Sequence, residues 1–199
     1  MDKVPIILLA AGGSSRMGKP KQLLSWGDHT LIEHQLTVLQ QTKSPVLVVL
    51  GAVAGEIIPL LHKFNTPYIV NNNWHNGMGT SIVTGVRELS RLYPDAQGVL
   101  MALVDQPLVP LSHYKEVLNA FQPGKQQIIA SHSEKGWLGV PALYDNCYFD
   151  ELVQLKNEEG AKKIIQKYPS KVVRIDGGEL LDDLDTPESY QNMMRRMIE

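Results

Sequence analysis

Residues 6–21 read Ile6-Ile7-Leu8-Leu9-Ala10-Ala11-Gly12-Gly13-Ser14-Ser15-Arg16-Met17-Gly18-Lys19-Pro20-Lys21. Four consecutive aliphatic residues followed by small residues predict a buried strand that opens into a tight loop. Glycine and alanine let backbone N–H groups approach phosphate oxygens, and serine hydroxyls add further donors. Arg16, Lys19 and Lys21 supply the positive charge that a polyphosphate requires. The stretch therefore predicts a loop that binds the phosphates of a nucleotide.

Two well-known phosphate-binding loops fit this stretch poorly. Residues 13–19 satisfy the first seven positions of the P-loop pattern G-x-x-x-x-G-K-[ST], but Pro20 occupies the eighth. Proline has no hydroxyl to bind magnesium, and it disfavours helical geometry at Lys19. The glycines at 12, 13 and 18 also have the wrong spacing for the dinucleotide-binding pattern G-x-G-x-x-G. A P-loop therefore remains a minor alternative.

The composition limits the class of protein. A length of 199 residues suits a single domain, 1–199, with a substantial core. The net charge is -2, and no basic tract interleaved with aromatic residues is present, so we expect no nucleic-acid partner. Cys147 is the only cysteine, the amino terminus lacks a secretory pattern, and the apolar run after Lys3 is too short to span a bilayer. We therefore expect a cytoplasmic protein with no membrane partner.

Apolar runs and amphipathic segments alternate along the chain. Residues 4–9, 46–50, 68–70 and 98–104 predict strands, and the apolar residues of 30–41 have helical spacing. Strands that are apolar throughout, alternating with helices, predict an α/β fold with a mostly parallel central sheet between two layers of helices.

Local signals mark the ends of several helices. Thr30 with Glu33 predicts a capping box, and Thr80 or Ser81 is expected to cap the helix that follows an asparagine-rich loop. Pro187 is expected to open a final helix over residues 187–198.

Two groups of carboxylates are candidate metal ligands. Asp105 follows the apolar run 98–104, and the carboxyl end of a central parallel strand is where open α/β sheets bind ligands. Magnesium needs few protein carboxylates, because phosphate oxygens and water complete its shell. The alternative is that Asp105 only caps a turn before Pro107. Residues 182–185 hold three more aspartates, which equally suit a solvated loop ahead of the final helix.

The loop at 9–21 resembles the L-A-A-G-x-S-x-R-M-G-x-x-K signature of the MobA-like nucleotidyltransferases, which include the molybdenum cofactor cytidylyl- and guanylyltransferases. All nine specified positions of the signature match. The resemblance implies a three-layer αβα Rossmann-like nucleotidyltransferase fold. It also implies that Arg16, Lys21 and Asp105 are catalytic.

Shorter segments resemble the same family further along the chain. Residues 71–81 match Asn-x-x-Trp-x-x-Gly-Met-x-x-Ser, residues 105–107 match Asp-Gln-Pro, and residues 183–187 match Asp-x-Asp-Thr-Pro. Residues 139–141 match Gly-x-Pro, although Val140 replaces the polar residue that many relatives carry. Residues 159–162 resemble the family's acidic-Gly-Ala-Arg turn, but lysine stands where arginine is usual.

The resemblance implies a role for each matched position. The metal ligands are Asp105 and one aspartate of the 183–187 motif, with Asp185 preferred and Asp183 left open. The implied nucleotide-binding residues are Leu9, Ala10, Ala11, Gly12, Gly13, Ser14, Arg16, Lys21, Asn71, Gly77 and Ser81. The implied acceptor-binding residues are Trp74, Met78, Gln106, Gly139 and Pro141.

The resemblance also implies a reaction. It is the Mg²⁺-dependent transfer of CMP from CTP to the phosphate of molybdopterin cofactor, which serves a molybdenum hydroxylase such as xanthine dehydrogenase. Ala11 favours CTP, because guanylyltransferases of this group more often carry Leu-Ala-Gly-Gly. The alternatives are transfer from GTP, transfer to another small phosphate, or cofactor binding and delivery without catalysis.

Overall fold

The computed structural model describes residues 4–14 and 17–198. Its strands are β1 (Ile6–Ala10), β2 (Ser25–Trp26), β3 (His29–Thr30), β4 (Val46–Leu50), β5 (Tyr68–Val70), β6 (Gly98–Leu103), β7 (Ile128–His132), β8 (Leu138–Asp145) and β9 (Val172–Asp176). Its helices are α1 (Leu31–Gln40), α2 (Ala54–Lys63), α3 (Met78–Leu92), α4 (Leu111–Ala120), α5 (Phe149–Leu152), α6 (Lys162–Lys167) and α7 (Pro187–Ile198).

A seven-stranded sheet in the order β5-β4-β1-β6-β8-β7-β9 forms the centre of the described chain. Strand β8 runs antiparallel to its neighbours β6 and β7, and the other adjacent pairs are parallel. Strands β2 and β3 form a separate antiparallel ribbon. The predicted α/β class with a mostly parallel sheet is confirmed.

The side chains of β1 show how the two helical layers are held. Ile6 and Leu8 belong to the apolar cluster shared with α1, α4 and α7, whereas Ile7 and Leu9 belong to the cluster shared with α3, α5 and α6. Successive residues of a strand face opposite sides of the sheet, so an all-apolar strand fills both clusters. Burying each of these side chains stabilises the fold by about 1.5–3 kcal/mol. The result is the predicted three-layer αβα arrangement.

Several predicted elements have their predicted bounds. Strands β4 and β5 and helix α7 begin and end where the sequence places them. The capping box is also confirmed, because Thr30 and Glu33 exchange side-chain and backbone hydrogen bonds at the start of α1. Within the described residues, no helix combines the length and the apolar composition needed to cross a bilayer.

The predicted cap of α3 is wrong. This helix begins at Met78, so Thr80 and Ser81 lie inside its first turn. Gly77 has φ +109°, a conformation that favours glycine, and it lets the chain enter the helix earlier than the polar residues indicate. The Thr80 hydroxyl instead donates to the Gly77 carbonyl oxygen at 2.8 Å.

Candidate functional site

The site lies where β1, β4 and β6 end. The backbone N–H of Ala52 donates to the Ala11 carbonyl oxygen at 3.1 Å, and the N–H of Val104 donates to that of Leu9 at 3.2 Å. The loop after β1 is therefore held from both sides. The chain passes from β1 to β4 on one side, and β6 adds on the other, which makes this edge a topological switch point.

A cavity of about 470 Å³ opens at this edge. It brings together sequence-predicted residues from four segments: Leu9, Ala10, Ala11, Gly12, Gly13, Ser14, Lys21, Trp74, Gly77, Met78, Ser81 and Asp105. Five further lining residues were not predicted from the sequence: Gln22, His75, Leu103, Val104 and Glu158. Arg16 lies outside the described residues.

Gln22 holds the loop after β1 in shape. Its Nε2 donates to the carbonyl oxygens of Ala10 at 2.9 Å and Gly12 at 2.8 Å, and the side chain is almost completely buried. Among the described residues, none donates to its Oε1. No motif of the sequence analysis included Gln22, because its partners are backbone atoms rather than a pattern of side chains.

Lys21 joins the two predicted metal ligands. Its Nζ lies 3.1 Å from Asp105 Oδ2 and 2.5 Å from Asp185 Oδ1. Burial alone lowers the pKa of this ammonium group, but the two carboxylates outweigh burial and raise the pKa above its ordinary value. Lys21 is therefore a cation held between two carboxylates that are distant in sequence.

Asp183 has different surroundings. Its Oδ1 accepts a hydrogen bond from Gln106 Nε2 at 3.0 Å, and the same amide donates to the Leu181 carbonyl oxygen at 3.1 Å. Partial burial and then the charge of Asp105 raise the pKa of Asp183 to about 6. Of the two candidate aspartates, Asp185 therefore lies against the Lys21 ammonium and Asp183 against Gln106.

The donor set fits a hard divalent cation. Carboxylate oxygens of Asp105 and Asp185 converge on one point, where the structure already places positive charge. In the described part of the chain, no three His, Cys, Asp or Glu residues are arranged to hold a metal ion. Few protein ligands suit Mg²⁺, which keeps waters and binds substrate phosphates as well.

Asn71 supports the site from behind. Its Nδ2 donates to Thr80 Oγ1 at 2.8 Å and to Ser81 Oγ at 3.0 Å, and its side chain lines neither this cavity nor the next. The Trp74 indole packs on Gly13, where an added Cβ would meet the ring at 3.0 Å. Asn71 therefore orders the first turn of α3, while Trp74 forms a wall of the cavity.

A second cavity of about 330 Å³ adjoins the first and shares Leu9, Met78 and Leu103 with it. Gln106 and Gly139 line it, as do Asp183 and Lys162. The remaining walls are mainly apolar: Ile82, Met101, Trp137, Leu138, Val140, Tyr144, Gly160 and Ala161. Pro141 is buried away from both cavities, and its carbonyl oxygen accepts a hydrogen bond from Ser131 Oγ at 2.6 Å.

Three curated proteins resemble the chain over nearly its whole length. Purine catabolism protein PucB of Bacillus subtilis is 29% identical and covers 96% of each chain. Nicotine blue oxidoreductase of Paenarthrobacter nicotinovorans is 33% identical, covering 94% of this chain and 95% of its own. Molybdenum cofactor cytidylyltransferase of Escherichia coli is 23% identical over the full length of both.

Solved structures share the fold. A homologue of Mycobacterium tuberculosis Rv0371c from Mycobacterium sp. strain JC1 is 26% identical with a TM-score of 0.84, covering 99% of this chain and 98% of its own. Rv0371c of Mycobacterium tuberculosis in complex with manganese is 24% identical with a TM-score of 0.75, covering 97% and 98%.

The family predicted from the loop at 9–21 is confirmed. Residues 6–172 match the MobA-like NTP transferase domain, and this range includes strands β1 and β6 and the loops that line both cavities up to Lys162. The chain therefore belongs to the family of MobA-like NTP transferase domains.

Proposed function

We propose that this protein transfers CMP from CTP to the phosphate of molybdopterin cofactor, giving molybdopterin cytosine dinucleotide and pyrophosphate. The observation that carries the proposal is the contact of Lys21 with Asp105 and Asp185 beside the loop after β1. This cluster places Lys21 and Asp105 in the wall of the larger cavity, with Asp185 in contact with Lys21. Phosphoryl transfer requires such positioning and charge neutralisation.

The acceptor needs little help from a base. A phosphate monoester has a second pKa of about 6, so it is largely a dianion at neutral pH. Its oxygen forms a bond to the α-phosphorus of CTP while the bond from that phosphorus to the bridging oxygen of the β-phosphate breaks. Pyrophosphate leaves with the electron pair, opposite the attacking oxygen.

The charged residues have separate tasks in this scheme. Arg16 and Lys21 hold the β- and γ-phosphates and stabilise the departing pyrophosphate. Asp105 and Asp185 would hold Mg²⁺, which when bound would polarise a phosphoryl oxygen and offset the charge of the transition state. Backbone groups of residues 9–14, with Gly77 and Ser81, bind the nucleotide.

The second cavity suits the acceptor. Its walls are mainly apolar, with Gln106, Asp183 and Lys162 as polar groups, and it joins the first cavity at Leu9 and Met78. A pterin ring is planar and carries N–H groups, for which the Asp183 carboxylate in the wall of this cavity is a hydrogen-bond acceptor. Trp74 and Met78 border the route between the two ligands.

The experiment is pyrophosphate release from CTP and Mg²⁺ with molybdopterin cofactor present. We expect turnover by the wild type and a loss of about 100-fold or more in Asp105→Asn, because the substitution keeps the shape and removes the charge. Asp95→Asn is the matched control, because Asp95 is exposed and precedes the first residue of β6, whereas Asp105 follows the last one. Nucleotide binding without pyrophosphate release would reject catalysis and favour a delivery protein.

Further arms of the same assay separate the alternatives. GTP in place of CTP tests the base, and a panel of sugar and alcohol phosphates tests the acceptor. Incubation with nicotine blue and NADH or NADPH tests the oxidoreductase activity named for the relative from Paenarthrobacter nicotinovorans. We expect no oxidation, because the loop at 12–18 lacks the dinucleotide-binding spacing.

We further propose that the product serves a molybdenum hydroxylase of the xanthine dehydrogenase type in the cytoplasm. The relative from Bacillus subtilis is named a purine catabolism protein, and xanthine, after which this class of hydroxylase is named, is a purine. Activation of a purified apo-hydroxylase by the reaction mixture tests this step. A hydroxylase that gains no activity while dinucleotide accumulates would reject the partnership.

A further inference from the structure

The position of the Lys21 side chain bears on the order in which nucleotide and metal bind. Its ammonium lies between Asp105 and Asp185, and the side chain is only 11% exposed. The Lys21 backbone is fixed independently, because its N–H donates to Ser14 Oγ at 2.9 Å. The side chain is therefore free to change its partner while the loop keeps its shape.

The position of this ammonium conflicts with a bound divalent ion. Carboxylate oxygens of Asp105 and Asp185 both contact the Lys21 ammonium, and this positive charge repels a second cation that approaches the same oxygens. Without any cation, the two carboxylates would repel each other instead. The Lys21 ammonium and a divalent ion therefore compete for the same carboxylate oxygens.

We propose that Lys21 is a placeholder, by which we mean that its ammonium occupies the metal position until nucleotide binds. In the nucleotide-free protein, the ammonium keeps Asp105 and Asp185 together and opposes metal binding. The triphosphate then attracts Lys21 to its own oxygens, which opens the carboxylate pair to the metal that enters with it. The last step rests on the proposed function, whereas the exclusion of metal by Lys21 does not.

Manganese binding without nucleotide tests the placeholder. Free Mn²⁺ is measured by its electron paramagnetic resonance signal during titration of wild type, Lys21→Met, Lys21→Gln and the control Lys19→Met. Lys19 belongs to the same loop and is exposed. We expect weak binding to wild type and Lys19→Met, and binding about tenfold tighter or more to the Lys21 variants, because a repelling charge is gone.

Further variants locate the ion. Adding Asp105→Asn to either Lys21 variant should abolish the gain in affinity. The proposal is overturned if Lys21→Met and Lys21→Gln bind Mn²⁺ no tighter than wild type, or if the gain survives Asp105→Asn. Thermal unfolding checks that each variant is folded, and Lys21→Gln replaces Lys21→Met if the latter is not. Tighter binding together with a failed transfer assay would reject the proposed reaction and keep the placeholder.

Discussion

The backbone N–H of Gly79 donates to the carbonyl oxygen of Asn157 at 2.7 Å, across 78 residues of sequence. A Cβ added at Gly79 would lie 2.8 Å from the carbonyl oxygens of Asn157 and Glu159. The first turn of α3 therefore packs directly against the backbone of residues 157–159. This contact places Glu158 in the wall of the larger cavity.

Gly79→Ala should destabilise the protein. The new methyl group meets backbone atoms that cannot move independently, so we expect a loss of about 1–3 kcal/mol in the free energy of unfolding. Urea unfolding followed by circular dichroism measures the loss. Gly55→Ala is the matched control, because Gly55 also lies in the first turn of a helix but has open space around its Cα. Equal stability of the two variants would show that the contact with Asn157 is not tight.

Gln22→Leu should weaken nucleotide binding. The substitution removes the donor shared by the carbonyl oxygens of Ala10 and Gly12, and each unpaired buried polar group costs about 1–3 kcal/mol. We expect about a tenfold loss of affinity for CTP, measured by calorimetry, as well as a loss of stability.

Gln40→Leu provides the comparison for Gln22. Gln40 Nε2 also donates twice, to the Phe64 carbonyl oxygen and to Thr66 Oγ1, but at the opposite end of the sheet. That variant should lose stability and keep its affinity for CTP. Similar CTP affinities for both variants would show that Gln22 does not shape the nucleotide loop.

The elements that the sequence predicted well are those fixed by local pattern. Strand β4 is apolar at every position, and its bounds follow from composition alone. The start of α1 follows from Thr30 and Glu33, which are three residues apart. The start of α3 did not follow, because Gly77 and Gly79 are set by their approach to Asn157, a contact between distant segments.

The candidate site likewise contains residues whose position the sequence pattern predicts and residues whose position it does not. Residues 9–14 and Asp105 meet because β1 and β6 are adjacent parallel strands, a result that the alternation of strands and helices predicts. Asn71 and Pro141 belong to matched motifs but lie behind the cavities, where they bond to other parts of the protein. A motif identifies residues that cluster, and it does not separate those that touch a ligand from those that support them.

Stability should fall as the pH decreases below neutrality, in part because of His113. This residue is buried, and its Nε2 lies 2.7 Å from Ser131 Oγ, whose own proton is donated to the Pro141 carbonyl oxygen. Burial lowers the pKa of His113 below 6.5, so the unfolded chain binds a proton that the folded protein resists. The contribution of neutral His113 to the free energy of unfolding is therefore fully present above pH 6.5, and it is lost as the pH falls toward the pKa of His113 in the folded protein.

Urea unfolding between about pH 7.5 and about pH 5.5, one unit either side of the ordinary histidine pKa, measures this slope. His113→Gln should reduce it, whereas His29→Gln should leave it unchanged because His29 is exposed at the start of β3. His34 contributes in the same direction, since burial also lowers its pKa. An unchanged slope in His113→Gln would show that this histidine titrates alike in both states.

Ala11→Gly should change the choice of base. Ala11 is 6% exposed, lines the larger cavity, and packs its methyl group toward Gly51. Removing the methyl group widens the pocket, and one methylene in a pocket is worth about 10- to 200-fold in discrimination. We expect the ratio of kcat/KM for CTP to that for GTP to fall by about tenfold. Ala96→Gly removes a methyl group of equal exposure from the core away from the cavities, so it serves as the control for lost stability. A ratio that stays constant in Ala11→Gly would place the selection of the base elsewhere in the pocket.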